Sequence, residues 1–132
     1  MEKSKTLKLI GIVAIVFGAM TVFSGGRALF GGAEARAAVG NAVGFVLWFN
    51  FLAGFVYVLT GIGLVKAMRW AANAALGLAL ATGGVAVAFG LHVLGGVAYE
   101  PRTVGALALR LSFWIVVTVI SWPLRTKPPA AR

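Results

Sequence analysis

A small set of polar side chains stands inside long apolar runs, and these residues are the candidates for chemistry. The apolar runs are interrupted by Asn50, His92 and Arg110. Tyr57 follows Asn50 by seven residues, and Glu100 stands between two of the runs. Arg supplies a fixed positive charge, whereas Asn, Tyr and His supply directed hydrogen bonds. Because an ionisable group among apolar residues normally faces a bundle interior or a water-filled cavity, we expect these side chains to line a ligand-binding pocket.

The pocket would hold a small polar or anionic group, such as a lipid head group, a quinone or a small anion. The alternative is that the same side chains only hold helices together. In that case Asn50 and His92 bond across helices, and Arg110 reaches up to head groups or pairs with Glu100.

The composition excludes several kinds of catalytic site. The chain has no Cys and no Asp, and its acidic residues are Glu2, Glu34 and Glu100, all outside the apolar runs. Thiolate chemistry and Cys-based metal sites are therefore ruled out, and proton-coupled transport is disfavoured because no carboxylate is expected inside a span. No P-loop, nucleophile-elbow or zinc-protease motif is present. We expect no catalytic residue and no metal site.

We also expect no cofactor, with heme and quinone as the alternatives. The chain has a single His, so a bis-His heme is excluded. His92 with Met20 would be the axial pair of a heme, since both are expected in the outer part of their helices.

The elements that must position these residues are membrane-spanning helices. Of the 132 residues, 61% are hydrophobic and 11% charged, and the mean hydropathy is +0.97. A soluble domain of this size cannot bury so much apolar surface. The sequence predicts an all-α polytopic membrane protein, a single domain built as a four-transmembrane-helix bundle. The predicted spans are about 7–24, 43–65, 70–97 and 104–124, with an outer loop at 25–42 and a tail at 125–132 after Pro123 ends the last helix.

The positive charges predict that both termini are cytoplasmic (N-in/C-in). With that orientation the cytoplasmic segments hold eight Lys and Arg residues and the outer segments hold three. All loops are short, so the positive-inside rule applies and predicts a multi-pass protein of the cell (inner) membrane. The alternative for residues 1–23 is a cleaved signal peptide, but the A-x-A motif at Ala35–Ala37 lies too far past the apolar stretch.

The polar residues inside the apolar runs are expected to lie at a similar depth below the outer membrane boundary. Asn50, His92 and Arg110 lie roughly 11, 8 and 9 Å below the predicted outer boundary, at about 1.5 Å per residue. Three helices thus place polar groups at one level in the outer half of the bilayer, with Tyr57 deeper and Glu100 above.

Small residues at steps of three and four predict which helix faces meet. The first helix carries such a stripe from Gly11 to Gly25, and the second carries one from Asn50 to Gly61. In the third helix the stripe is expected to run from Gly77 through Gly84 to His92. Gly84 should then face a neighbouring helix, and Ala86 should face lipid.

These features favour a non-enzymatic accessory subunit or a protein that binds a small ligand or lipid near the outer face. The alternatives are a quinone-linked redox component and a homo-oligomeric transporter of small solutes. The expected partners are the lipid bilayer and either further copies of the chain or a larger membrane complex. Nucleic acid is not expected, because the basic residues stand at the ends of apolar runs and form no stripe interleaved with aromatics.

The predicted topology can be tested by labelling, because the chain has no native Cys. Single cysteines replace Ser4, Ala33 and Thr126 in turn, and an impermeant thiol reagent is added to intact cells. Only position 33 should react, since it alone lies on the outer side. Labelling at position 4 or 126 would contradict the N-in/C-in orientation.

Overall fold

Four long helices make up the protein in a computed structural model that describes residues 2–34, 44–96, 99 and 101–126. The helices are α1 (Glu2–Phe30), α2 (Gly44–Val65), α3 (Arg69–Leu94) and α4 (Pro101–Thr126). All four are long and apolar enough to cross a membrane. The predicted all-α architecture with four candidate spans is confirmed.

Two helix ends differ from the sequence prediction. Helix α1 continues beyond residue 24 to Phe30, so the first part of the predicted outer loop is helical. The prediction that Pro123 ends the last helix is wrong, because α4 continues through it to Thr126. A Pro in the last turn removes only one backbone hydrogen bond, and only three residues of the helix follow it.

Most of each helix surface is exposed apolar side chain. In the most apolar 18-residue stretch of each helix, between 22% and 33% of the residues are buried inside the protein. Large apolar residues such as Leu9, Phe23, Leu80 and Val119 are each more than 60% exposed. Such a surface is suited to lipid, where helix association depends on close packing and on hydrogen bonds between helices.

Helices α1 and α2 meet backbone to backbone through glycines. A Cβ built on Gly18 would lie 2.7 Å from the carbonyl oxygen of Gly54, and one on Gly61 would lie 2.6 Å from that of Gly11. Glycines recur every seven residues on both helices, which is the repeat of two helices in a left-handed crossing. The small-residue stripes predicted for the first two helices therefore do form their interface.

A tight turn joins α2 to α3. The Ala67 N–H donates to the Leu64 carbonyl at 3.0 Å, and the Met68 N–H donates to the Gly63 carbonyl at 2.9 Å. This pair of bonds is a Schellman motif, whose C′ residue adopts the left-handed conformation. Ala67 is that residue, with φ 54°. An Ala there carries a steric cost that Gly would not.

Helix α3 packs on α4 through a face different from the predicted one. Its buried residues are mainly alanines with Leu78, Thr82 and Phe89. Gly84 is exposed, and a Cβ built on it meets nothing within 4 Å. Ala86 is half-buried and lines a cavity between α3 and α4. The predicted Gly77–Gly84 interface was wrong, because α3 has small residues on two faces and its Ala/Leu face supplies the side-chain surface that packs.

The bundle is open on one side, between its first and last helices. Helix α1 packs along α2, and α3 packs along α4, whereas α1 and α4 touch at only a few residues. The link between them includes the edge-to-face contact of Phe17 and Phe113, with ring centroids 5.3 Å apart. We call the cleft on this side the α1–α4 groove.

Replacing single glycines by Ala should distinguish the effect of interhelical packing on stability from the effect of helix propensity. Ala is a better helix former than Gly by about 1 kcal/mol, so propensity alone predicts that Gly18→Ala and Gly84→Ala both stabilise. We expect Gly18→Ala to destabilise by about 1–3 kcal/mol, because its methyl overlaps the α2 backbone. Gly84→Ala should be neutral or stabilising. Thermal unfolding in detergent measures both, and equal effects would contradict the α1–α2 interface.

Replacement of Ala by Gly should change stability in opposite directions in the α2–α3 turn and inside a helix. Ala67→Gly should stabilise by up to about 1 kcal/mol, because Gly adopts the left-handed conformation without strain. The control Ala81→Gly, on an exposed face of α3, should destabilise by about 1 kcal/mol. A loss of stability in Ala67→Gly, measured by the same unfolding assay, would contradict the strained turn.

Candidate functional site

Arg110 is held between α4 and α1 by three contacts. Its Nη2 donates to the Thr21 hydroxyl at 3.2 Å, and its Nη1 donates to the Ala106 carbonyl at 3.5 Å. Its Cζ lies 5.3 Å from the centroid of the Phe17 ring, within cation–π range. The side chain therefore turns into the bundle rather than out toward lipid, and its guanidinium is fixed in one place.

Two fully buried aromatic residues lie beside this guanidinium. Tyr57 and Trp114 are both 0% exposed, and their ring centroids are 4.9 Å apart. Tyr57 also packs on Phe17 at 5.4 Å, and the positive charge of Arg110 acts on its hydroxyl. We call Phe17, Thr21, Tyr57, Arg110 and Trp114 the Arg110 cluster.

The Arg110 cluster contains polar atoms that are buried without hydrogen bonds. Within the described part of the chain, the Tyr57 hydroxyl, the Trp114 Nε1 and the Arg110 Nε have no hydrogen-bond partner. Most buried polar groups in proteins are paired, and unpaired ones are costly. The three atoms lie on neighbouring residues, and Trp114 and Arg110 both act on the Tyr57 hydroxyl as hydrogen-bonding groups, so these groups approach one another with poor geometry.

Of the predicted site residues, the structure brings Tyr57 and Arg110 together. Asn50 lies on the same stripe of α2 as Tyr57, about 10 Å further along the helix. Asn50 is half-buried, and its Oδ1 is buried with no hydrogen-bond partner among the described residues. Asn50 therefore shares the helix face of Tyr57 but is not brought into contact with the cluster.

The other predicted site residues do not join the Arg110 cluster. His92 is exposed, and its ring lies edge-on against Phe45 of α2 with centroids 5.5 Å apart. Met20, the suggested second heme ligand, is 63% exposed and lies in the α1–α4 groove, so these contacts do not place the two ligands together. Glu100, with its predicted pairing to Arg110, lies outside the described residues.

Sequence reasoning missed Phe17, Thr21 and Trp114 as site residues. Thr21 was counted only as a small residue of the α1 stripe. The spacing gives only part of the signal, because it places Phe17 with Thr21 and Arg110 with Trp114 on shared helix faces but does not show that the two faces meet. Residues four apart share a helix face.

The α1–α4 groove has a polar end and an apolar end. Thr21, Ser24 and Arg110 lie at the polar end, in a cavity of about 460 Å³ whose exposed wall is otherwise apolar and includes Met20 and Phe23. An adjoining cavity of about 420 Å³ extends it along Ile12, Val16 and Leu109. Phe17 and Met20 line both cavities, so the two adjoin along α1.

The charge of Arg110 has no acidic partner within the described residues. The two groups that accept its hydrogen bonds, a hydroxyl and a backbone carbonyl, are neutral. Arg remains protonated in proteins, and a charge inside a membrane is costly. Nor do the described residues hold any group of three His, Cys, Asp or Glu side chains suited to a metal ion. The arrangement is suited to binding an anion at the polar end of the groove.

Comparison with known protein families, characterised proteins and solved structures finds no match.

A double-mutant cycle tests whether Arg110 is an unpaired charge. Arg110→Leu should leave the thermal stability in detergent unchanged or raise it, because an apolar group replaces a poorly compensated buried charge. Thr21→Val should destabilise by about 1–3 kcal/mol, because it leaves a guanidinium donor unsatisfied. In the double variant the cost of Thr21→Val should disappear. Strong destabilisation by Arg110→Leu would show that the charge is already paired within the protein.

Proposed function

We propose that the chain is a small non-enzymatic membrane protein that binds an anionic group at Arg110, at the polar end of the α1–α4 groove. The observation that carries the proposal is a fixed guanidinium whose hydrogen-bond partners among the described residues are all neutral. The cation–π contact and the two hydrogen bonds hold this guanidinium in place before a ligand arrives. Such preorganisation lowers the entropy cost of binding.

The orientation of the groove follows from the predicted topology. With both termini in the cytoplasm, the N-terminus of α4 faces the outer side of the cell membrane. Arg110 lies nine residues after Pro101, and its guanidinium reaches back to the Ala106 carbonyl, about 8 Å below the start of the helix. The site would then open to the outer half of the bilayer.

An accessory subunit is the second candidate function. A carboxylate on the transmembrane helix of another protein would also neutralise Arg110, and the open side of the bundle gives such a helix room to approach. A quinone is supported less, because a neutral head group leaves the guanidinium charge uncompensated. A homo-oligomeric transporter would require the groove to continue across the whole membrane.

Native mass spectrometry of the full chain, extracted in a mild zwitterionic detergent, tests the proposal. The wild type should retain an anionic adduct, and Arg110→Gln should lose it, with retention falling about tenfold or more. The control is Arg27→Gln, which removes an exposed charge near the same membrane face. An adduct retained equally by all three proteins would contradict anion binding at Arg110. A bound protein that depends on Arg110 would instead favour the accessory subunit.

A further inference from the structure

The α1–α4 groove has the same polarity as one leaflet of a lipid bilayer. Its polar end lies toward the C-terminus of α1 and the N-terminus of α4, which share one side of the bundle. From Arg110 the groove runs toward the bilayer midplane along apolar side chains. From Ser24 to Ile12 it spans about 18 Å along α1, slightly more than half of a hydrocarbon core of about 30 Å.

We infer that the groove binds an anionic membrane lipid of that leaflet, with its phosphate on Arg110 and one hydrocarbon chain lying along α1 and α4. This inference rests on the proposed function and names its ligand class. A phosphate offers several acceptor oxygens to the planar guanidinium, and the exposed Ser24 hydroxyl, which donates to the Thr21 carbonyl at 3.4 Å, lies on the next turn of α1. The ligand enters sideways from the bilayer, because the groove opens between two helices that barely touch.

The shape of the groove favours a lipid over the other anions considered. A soluble anion would use only the polar end and would leave the apolar cavity of about 420 Å³ without a role. A partner helix would have to pack around the Phe17–Phe113 contact that bridges α1 and α4, whereas a single hydrocarbon chain is thin enough to lie beside it. A hydrocarbon chain therefore suits an apolar surface that adjoins a charged group.

Competition between defined lipids tests the inference with the full chain in detergent. Native mass spectrometry compares the retention of phosphatidylglycerol and phosphatidylcholine with identical chains, with inorganic phosphate as a separate probe. The wild type should retain phosphatidylglycerol about tenfold more than phosphatidylcholine, because one net negative charge meets Arg110. Arg110→Gln should lose this preference. Equal retention of both lipids by the wild type would overturn the inference, because the groove would then hold lipid without selecting charge.

Two variants test the hydrocarbon chain. Val16→Trp places a large ring in the apolar end of the groove, and Val87→Trp places the same ring on the lipid-facing surface of α3. These residues are 54% and 64% exposed, so both should fold with a larger side chain. Val16→Trp should lose phosphatidylglycerol, and Val87→Trp should retain it. Loss in neither variant would overturn the placement of the chain.

The inorganic phosphate probe separates failure of this inference from failure of the proposed function. If inorganic phosphate binds the wild type as well as the lipid does and Arg110→Gln abolishes its binding, Arg110 binds anions but the groove does not select a lipid. If neither phosphatidylglycerol nor inorganic phosphate depends on Arg110, the proposed function fails as well.

Discussion

A guanidinium keeps its proton at any physiological pH, and this constraint governs the structure around Arg110. Inside a bilayer the charge can be tolerated only if it reaches water, pairs with an opposite charge or is bonded within the bundle. In the described structure the guanidinium is partly bonded within the bundle, through Thr21, Ala106 and the face of Phe17. The remaining charge is directed into a groove that opens to lipid. The need for a negative partner therefore links the packing of this bundle to the proposed anion binding.

The packing of the helices decides where that charge is held. Glycine contacts bring the α1 and α2 backbones so close that the Tyr57 Cβ lies 2.8 Å from a Cβ built on Gly18. The alanine face of α3 holds α4 in register, so that Trp114 reaches Tyr57. The same arrangement leaves α1 and α4 nearly separate, and the groove is the result. The closeness of one helix pair and the separation of the other are thus both required for the site.

The sequence predicted the helices well, because the thickness of a bilayer demands long apolar runs. The stripes of α1 and α2 were readable because glycines are concentrated on one face of each helix. The small-residue stripe of α3 was not readable, since Gly84 and Ala75 are both small although only the alanine face packs.

Counting residues from the predicted outer boundary placed Arg110, Asn50 and His92 at one depth but could not fix their direction around the helix axes. For this reason Tyr57 and Arg110 meet, whereas His92 points to Phe45. The roles of Thr21 and Trp114 depend on how two distant helices approach, which local spacing does not specify.

Solid-state NMR of the full chain in phosphatidylglycerol liposomes measures the central claim directly. Recoupling between the Arg Cζ carbons and the lipid phosphorus reports their separation, and the Arg110 signal is the one absent from the Arg110→Gln spectrum. Arginines at the membrane surface serve as the internal reference. We predict that the Arg110 signal is dephased by phosphorus at about 4 Å, the separation expected for a guanidinium bonded to phosphate. An Arg110 signal that stays undephased while the surface arginines respond would contradict the account.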